Sequence, residues 1–463
     1  MKKFVFMILV ISTMLICGCN TFAPDIDKNS PLIIPDNFAS NTGSKEIISK
    51  PLFSLDNNEL DILIKNALEN NFGIKASRAN IAQAQASIKK ENASFWPGLD
   101  FAFGGQKKRV QTKTDKNNNS AYVDSHSWNS SLNGSYTLDI WGEAQASKKA
   151  QVLTLQALEQ DLKQSILNLT SDISETWVDI IATRKKKEIL NTQINNNQTL
   201  LKLQRLRFIN GKANALDVSQ QQEALAEASS QMPLLEKQEK TLLNNLAFMS
   251  GKTRVDRSIQ VNSKKLPNSL PIADTGIPSD LLDNRPDIQA ARMRLVSSQW
   301  EITAAKADLL PSFKLTAQAL FSHGELDLLF QNWIGTLAAS IAGPIFDGGY
   351  RRAEVARVKA AAEEQVNYYA QTIAQAIFEV ENSLIAIHKQ NDYIKLLEEE
   401  LKITRLTLKD ASIQYQNGQS SYLSYLNAWT NIERLERQLV GEKATIIKEH
   451  IKLNKILGWK PVQ

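Results

Sequence analysis

The sequence predicts an α+β membrane protein built from one unit that occurs twice. Three observations indicate this fold class: two proline-free runs with a heptad period, two pairs of short segments with a period of two, and matching residues about 200 positions apart. Because the helical runs and the short segments recur in the same order, the duplication covers both.

The longest helical run begins after Gly348-Gly349 and continues for about 70 residues, which as an α-helix would be about 100 Å long. Its apolar residues alternate between spacings of four and three, and a similar stripe follows Gly142. A stripe of this length needs other long helices to bury it. The two stripes are Val366, Ala370, Ile373, Ile377, Val380, Leu384 and Ile387, and Leu155, Leu158, Leu162, Ile166, Leu169, Ile173, Trp177 and Ile180.

Both long runs end at an Asn-Gly pair, where glycine permits a left-handed helix end. Gly211 and Gly418 are about 200 positions apart, as are Gly142 and Gly348. A second periodic run follows each break. We therefore expect a first repeat over residues 54–251, a proline-bearing linker over 252–277 that packs outside the helices, and a second repeat over 278–459.

The N-terminus resembles a bacterial lipoprotein signal. Two lysines precede an apolar run too short to span a bilayer, and Ile16-Cys17-Gly18-Cys19 resembles a lipobox. We predict a signal peptide over residues 1–18, lipid on Cys19, and an extended tether over 19–53. The alternative is an ordinary signal peptide with two incidental cysteines.

Each half carries two segments with a period of two, which predict strands of about ten residues. The first half has apolar residues at Leu99, Phe101 and Phe103, and alternation returns at Trp128 after a polar stretch, Gln106 to Ser125, that we interpret as a loop. The second half has strands from Phe313 and from Trp333, with a short turn between them. Ten residues is the length of a tilted transmembrane strand, although four soluble strands would show the same pattern.

Four strands cannot close a barrel, and open sheet edges are not tolerated in lipid. The chain must therefore associate with copies of itself, and three copies, giving twelve strands, is the smallest even-stranded solution that leaves a lumen. We expect Trp128 and Trp333 near a membrane interface. We expect Asn133 and Thr316 to face water, and four residues to face lipid: Phe101, Leu138, Leu315 and Leu337.

Prolines and glycines stand where the helical period changes to the strand period. Pro97 and Pro311 lie where a helix must end, since proline removes a backbone donor and fixes φ. Gly142, Gly348 and Gly349 lie at the reverse crossing, where glycine permits a change of chain direction.

The sequence offers no pattern typical of an enzyme. Four dispersed histidines give no metal-ligand spacing, and no nucleophile, phosphate-loop or dinucleotide motif occurs. We expect no catalytic residue, no metal and no cofactor. The net charge of +5 is spread along the helices, which gives no indication of nucleic-acid binding.

Three motifs carry a family resemblance: the run Asn284-Arg285-Pro286-Asp287-Ile288, Leu310-Pro311, and Gly343-Pro344-Ile345-Phe346-Asp347-Gly348-Gly349. Together they resemble the signature of TolC-type outer-membrane efflux proteins, in the lipoprotein branch that serves resistance-nodulation-division (RND) pumps. From the residues alone, Asp287 is expected to cap the helix that begins at Pro286.

The resemblance implies a homotrimer with a twelve-stranded outer-membrane β-barrel continued into a long α-helical periplasmic barrel. It also implies docking with a periplasmic membrane-fusion adaptor and an inner-membrane RND-type pump, in a Gram-negative bacterium. The expected function is an exit duct for drugs or other small toxic compounds. Metal-ion efflux and type I protein secretion remain alternatives, and a non-pore coiled-coil adaptor lipoprotein is a further one.

The resemblance also implies a closed aperture at the two Asn-Gly breaks. Asp217 and Tyr415 match family positions that help to hold the closed state, with Asp217 as the one charged participant, near Lys212. Alternatively, Asp217 is a solvated residue or a helix cap. Three further candidates depart from the best-known pattern because they are neutral where some members carry charges: Ser420, Ser424 and Asn427.

Overall fold

A computed structural model describes residues 23–24, 32–36, 38, 58–113, 120–256, 259, 261–267 and 278–458. Cys19, the signal peptide and most of the tether lie outside the described residues. The chain divides into two compact units, one containing Asn80–Glu159 and Ala290–Tyr369, the other containing Leu32–Ala79, Gln160–Gln289 and Ala370–Gln463.

Helices account for most of the described chain, and the expected duplication is visible in their lengths. Two helices of 67 residues are each followed by a helix of 35 residues. The helices are α1 (Asn58–Asn70), α2 (Phe72–Ala93), α3 (Glu143–Ile209), α4 (Ala215–Met249), α5 (Leu281–Asn284), α6 (Pro286–Ala307), α7 (Tyr350–Gln416) and α8 (Tyr422–Ile456).

The two long helices end as the Asn-Gly pairs predicted. Gly211 and Gly418 have φ of 66° and 72°, in the left-handed region. The amide of Lys212 donates to the carbonyl of Arg207 at 2.7 Å, and that of Gln419 to the carbonyl of Gln414 at 2.8 Å. This six-to-one bond satisfies a carbonyl that the helix end would otherwise leave free.

The predicted heptad stripes are buried along much of the helical unit. Leu397 and Leu401 of α7 pack with Leu435 of α8. On α3, Trp177 is buried and its indole donates to Glu59 at 3.0 Å. The stripe residues buried here are Leu169, Ile173, Trp177, Ile180, Ile373, Val380, Leu384 and Ile387.

The other unit contains a four-stranded antiparallel sheet with strand order β1-β2-β3-β4. A 3₁₀ turn at Leu326–Gln331 lies between the last two strands, where a short turn was expected. The strands are β1 (Gly98–Lys113), β2 (Ser120–Leu138), β3 (Ser312–His323) and β4 (Trp333–Ala342).

The predicted loop from Gln106 to Ser125 is wrong over most of its length. Strands β1 and β2 stay paired without a break from Gly98↔Ser135 to Lys113↔Ser120. The prediction failed because it required apolar alternation, whereas ladder hydrogen bonds join backbone groups whatever the side chains are. The polar pairs also contribute, since Arg109 donates twice to Asp124 at 2.6 and 2.7 Å.

Candidate functional site

The two Asn-Gly breaks lie close together in the helical unit, and the residues around them form the candidate site. The side-chain amide of Gln204, near the end of α3, donates to the hydroxyl of Tyr415 at 3.1 Å. The guanidinium of Arg207 lies 4.8 Å from the centre of the Tyr415 ring. Contacts between α3 and α7 therefore place both breaks at one end of the helices.

Three tyrosines form an aromatic cluster at this end. The Tyr415 ring lies 5.3 Å from that of Tyr422 and 6.0 Å from that of Tyr425, and the last two are 5.9 Å apart. Tyr422 is buried together with Leu426 and Ala224, and Tyr415 and Tyr425 pack against these three residues. The cluster joins the end of α7 to the first turns of α8 and to α4.

A chain of buried hydrogen bonds extends from this cluster. The Tyr422 hydroxyl donates to Oε1 of Gln221, whose Nε2 donates to Oδ1 of Asn197 at 2.9 Å. Asn197 Nδ2 in turn donates to both carboxylate oxygens of Glu433 at 3.4 Å. Because Asn197 and Gln221 are fully buried, removing either partner would leave a buried polar group unsatisfied.

Glu433 collects further partners from α3 and α8. The Trp429 indole donates to its carboxylate at 2.7 Å, and Gln193 donates to its backbone carbonyl at 3.0 Å. Arg437 donates to the side-chain oxygen of Gln193. We call the set of Gln193, Asn197, Gln204, Gln221, Tyr415, Tyr422, Trp429, Glu433 and Arg437 the tip network.

Burial dominates the electrostatics of the tip network. It raises the pKa of the Glu433 carboxyl, against the opposing hydrogen bonds from Trp429 and Asn197. It also raises the pKa of the Tyr422 and Tyr425 hydroxyls and lowers the pKa of Arg437. Burial therefore disfavours the charged form of each of these groups, and the tip network joins its helices mainly through amides, hydroxyls and aromatic rings.

Asp217 lies in the capping box at the start of α4. Its backbone amide donates to Oδ1 of Asn214 at 2.8 Å, and its carboxylate accepts from the Asn214 amide at 3.2 Å. Within the described residues Asp217 forms no ion pair with Lys212, and its side-chain contact is the one in the capping box, where Asn214 is the N-cap residue. Tyr415 contacts Gln204 rather than Asp217.

The three neutral candidates lie at the start of α8. The Ser424 amide donates to the side chain of Ser421, the N-cap residue, at 3.4 Å. Ser424 and Asn427 are exposed. The Ser420 hydroxyl is buried and has no hydrogen-bond partner within the part of the chain that the structure describes.

The residues expected at the helix–strand crossings lie between the elements. Pro97 precedes β1, and Pro311 precedes β3. Gly142, Gly348 and Gly349 precede the two long helices with φ of 76°, 66° and 87°. Aspartates cap these helices: the Asp139 carboxylate accepts from the amides of residues 144 and 145, and that of Asp347 from the amides of residues 349 and 351.

The family-like run around Arg285 joins helices rather than forming a reactive site. The Arg285 guanidinium is buried and donates to Asp287 at 2.6 Å, to Glu379 of α7 at 2.9 Å and to the carbonyl of Ile456 at 3.1 Å. Asp287 also accepts from the Ile288 amide at 2.8 Å, within the first turn of α6. These contacts secure the end of α8 against α7.

The register of the sheet divides its residues into two faces. Phe101 pairs with Leu132, and Leu138 pairs with Phe313. Because alternate residues share a face, these pairs put Phe101, Leu138, Leu315 and Leu337 on one side and Asn133 and Thr316 on the other. We call the first the apolar face; its exposed side chains include Leu99, Phe101, Phe103, Trp333, Leu337 and Ile341.

The second face of the sheet is lined by hydroxyls and amides. Gln318 donates to Asn133 at 2.8 Å, and Ser322 donates to Asn129 at 2.6 Å. Asn133 also donates to Ser131 at 3.0 Å. We call this side the polar face.

Most of the tip network was missed from the sequence, because Gln193, Asn197, Gln204 and Gln221 are ordinary helix-surface residue types. One signal was available on α8, where Tyr422, Tyr425, Trp429 and Glu433 recur at helical spacing.

Within the described ranges, no group of three or more His, Cys, Asp and Glu side chains could hold a metal ion. Nor does any helix described here combine the length and apolar character needed to cross a membrane.

Comparison with known proteins gives consistent matches. The sequence profile described as Outer membrane efflux protein matches residues 63–252 and 277–459. The chain is 30% identical to the pyoverdine export outer membrane protein OpmQ of Pseudomonas aeruginosa, over 86% of this chain and 85% of that protein. It is 26% identical to the outer membrane protein OprJ of the same species, over 80% and 78%.

Solved structures share the fold. The outer-membrane channel OprN matches with a TM-score of 0.85 at 21% identity, over 94% of this chain and 99% of that one. The CmeC outer membrane channel of Campylobacter jejuni matches with a TM-score of 0.84 at 20% identity, over 94% of each chain.

Proposed function

This chain belongs to the outer membrane efflux protein family, and from that premise we propose how it works as the exit duct of a tripartite efflux system. It resides in the outer membrane, with most of its length in the periplasm. The observation that carries the proposal is the four-stranded sheet, which has one apolar face, one polar face and, among the described residues, an unpaired edge at each of β1 and β4.

The duct is a homotrimer. An unpaired strand edge exposes backbone donors and acceptors, which lipid cannot satisfy. Three copies of the sheet, joined β4 to β1, give twelve strands and remove every edge. The apolar face then meets lipid, and the polar face lines a water-filled lumen.

The residues of the tip network are the candidates for closing the periplasmic aperture of this duct. The tip network holds the ends of α3 and α7 to the starts of α4 and α8 through the buried Gln221–Asn197 bond and the half-buried Gln204–Tyr415 bond, among others. Closure rests on these neutral bonds and on tyrosine packing. Asp217 contributes through the capping box of α4, while Ser424 and Asn427 present uncharged groups at the tip.

The cargo is a small organic compound, and the partners are a periplasmic adaptor and an inner-membrane RND-type pump. The names of three relatives refer to pyoverdine export, toluene efflux and antibiotic efflux. In each case the transported compound is a small organic molecule. Metal-ion efflux and type I protein secretion are the alternative cargoes. A structural neighbour, CusC, is described as forming a transmembrane channel and shows only the fold at 22% identity.

A deletion strain tests this function. Cells lacking the chain are exposed to drugs, dyes, siderophore-type chelators, metal salts and a protein-secretion reporter. We expect sensitivity to small organic compounds and restoration by the wild-type gene. Sensitivity to metal salts alone, or loss of secretion alone, would contradict the proposed cargo.

Lipid on Cys19 is a separate part of the proposal. Its support is the lipobox-like run before Cys19. Cys19→Ser is expected to abolish palmitate labelling while leaving the trimer assembled, because the barrel holds the membrane by itself once inserted. An unlabelled wild-type protein would contradict the lipoprotein assignment.

A further inference from the structure

The hairpin formed by β1 and β2 is longer than the hairpin formed by β3 and β4. The β3–β4 pairing ends at Phe321↔Trp333, whereas the β1–β2 pairing continues past Gly105↔Trp128 to Lys113↔Ser120. The first hairpin therefore has a two-stranded extension that the second lacks. We call residues 106–113 and 120–127 the hairpin extension.

The position of this extension follows from the apolar face. Trp128 and Trp333 lie on that face at neighbouring levels, since their β3 partners are His323 and Phe321. A Cβ at Gly105 would overlap the Trp128 ring, so glycine there gives the ring room to lie across β1. Trp128 also stacks on Phe103 with ring centroids 6.0 Å apart.

The apolar face has the height of a bilayer core. From Trp128 to Leu138 there are ten residue steps, or about 34 Å of strand. At the tilt of about 45° typical of membrane barrels this corresponds to about 24 Å, close to the apolar band of about 25 Å in such barrels. The hairpin extension therefore stands beyond the hydrocarbon, at the end of the sheet away from α2 and α3.

The hairpin extension is strongly basic. Its two strands hold four Lys and Arg residues and one Asp residue, a net charge of +3, so the chain's net charge of +5 is not spread along the helices as was expected. The first cross-strand pair beyond Trp128 on the same face is Lys107↔His126, followed by Arg109↔Asp124. Lys107 is exposed and has no ion-pair partner among the described residues, whereas Arg109 is bound to Asp124.

We propose that the outward face of the hairpin extension, centred on Lys107, binds the anionic phosphate headgroups of glycolipids in the outer leaflet. This inference rests on the proposed function, because it takes the apolar face to meet lipid. A cation placed directly beyond an aromatic interface residue lies at the depth of the headgroups, where anionic lipids attract it. Lys108 projects from the opposite, polar face and is not part of the surface.

The test uses the full-length protein in detergent and measures binding of fluorescent diphosphoryl lipid A at low and high salt. Lys107→Glu is compared with its matched control, Lys108→Glu, which has the same charge change on the next residue. We expect Lys107→Glu to weaken binding at least tenfold and Lys108→Glu to change it less than twofold. High salt and removal of the lipid phosphates are expected to weaken wild-type binding.

Three results would overturn the inference: equal effects of the two variants, binding that does not depend on the lipid phosphates, and displacement of the lipid by millimolar inorganic phosphate. Heat-modifiable migration of each variant on a gel establishes that the trimer has formed. A normal trimer without lipid A binding contradicts this inference alone. Absence of the trimer in wild-type protein contradicts the proposed function.

Discussion

The side chains of Gln221 and Asn197 are joined by a 2.9 Å hydrogen bond between α4 and α3, and both are fully buried. Tyr422 of α8 donates to the same glutamine. One amide thus connects three helices beside the two Asn-Gly breaks. If these helices must separate for the duct to open, this amide stabilises the closed state.

Gln221→Ala is expected to open the tip. Truncation removes the donor to Oδ1 of Asn197 and the acceptor of the Tyr422 hydroxyl, and each unsatisfied buried group costs about 1–3 kcal/mol. Single-channel conductance in planar bilayers is expected to rise. The matched control is Gln222→Ala, an exposed neighbour on the same helix. Equal conductance in the two variants would exclude Gln221 from closure.

Asp217→Ala combined with Tyr415→Phe is also expected to raise conductance, and to sensitise cells to a large antibiotic that cannot cross the outer membrane. The first change removes the carboxylate that accepts from the Asn214 amide in the capping box of α4. The second removes the hydroxyl that contacts Gln204. Asp410→Ala, an exposed acid on α7, is the control. Wild-type conductance in a normally assembled double variant would show that these residues do not hold the tip closed.

Arginine on the apolar face of the sheet is expected to reduce the amount of assembled trimer. Phe101→Arg and Leu315→Arg place a charge in lipid, which costs roughly 2–4 kcal/mol near mid-membrane. Asn133→Arg and Thr316→Arg place it on the polar face, where we expect tolerance. Gel migration of unheated samples measures the trimer. Equal loss in both pairs would reverse the assignment of the faces.

His450 is expected to make stability fall in acid. Burial lowers its pKa from 6.5 to about 4, so the neutral form stabilises the folded chain above about pH 6.5 and this contribution is lost as pH falls towards 4. The shift corresponds to about 3 kcal/mol. We expect His450→Gln to reduce the difference in thermal unfolding temperature between pH 7 and pH 4.5.

The half-buried His388 supplies the control for this measurement, as His388→Gln. The Glu433 carboxyl, whose pKa is raised, contributes to stability with the opposite pH dependence. Its contribution is present at low pH and is lost as pH rises through that pKa. The contribution of His450 is therefore obtained by comparing His450→Gln with wild type in the change of unfolding temperature between pH 7 and pH 4.5. An unchanged acid dependence in His450→Gln would contradict it.

The long helices and the sheet faces could be predicted because both follow from periodicity. Ile373 and Val380 have the spacing of a buried heptad stripe, and Phe101 and Phe103 that of one sheet face. The hairpin extension could not be predicted in this way. Its pairs, such as Arg109↔Asp124, carry no apolar alternation, and backbone pairing leaves no other trace in the residue pattern.

The tip network shows a second limit of sequence reasoning. Asn197 and Gln221 are buried because helices distant in sequence meet around them, and a solvated amide has the same residue type as a buried one. The spacing of Asp217 from Gly211 agreed both with a role in holding the aperture closed and with a role in capping α4. The side chain of Asn214, three residues earlier, forms the capping box that the sequence analysis did not single out.

The number of chains in the purified full-length complex tests the central claim most directly. Native mass spectrometry of the protein released from detergent measures it without any variant. A sheet with two unpaired edges that closes into a twelve-stranded barrel predicts a complex of three times the mature chain mass, which separates into single chains on heating. A complex that stays at one or two chains under folded conditions would contradict the account.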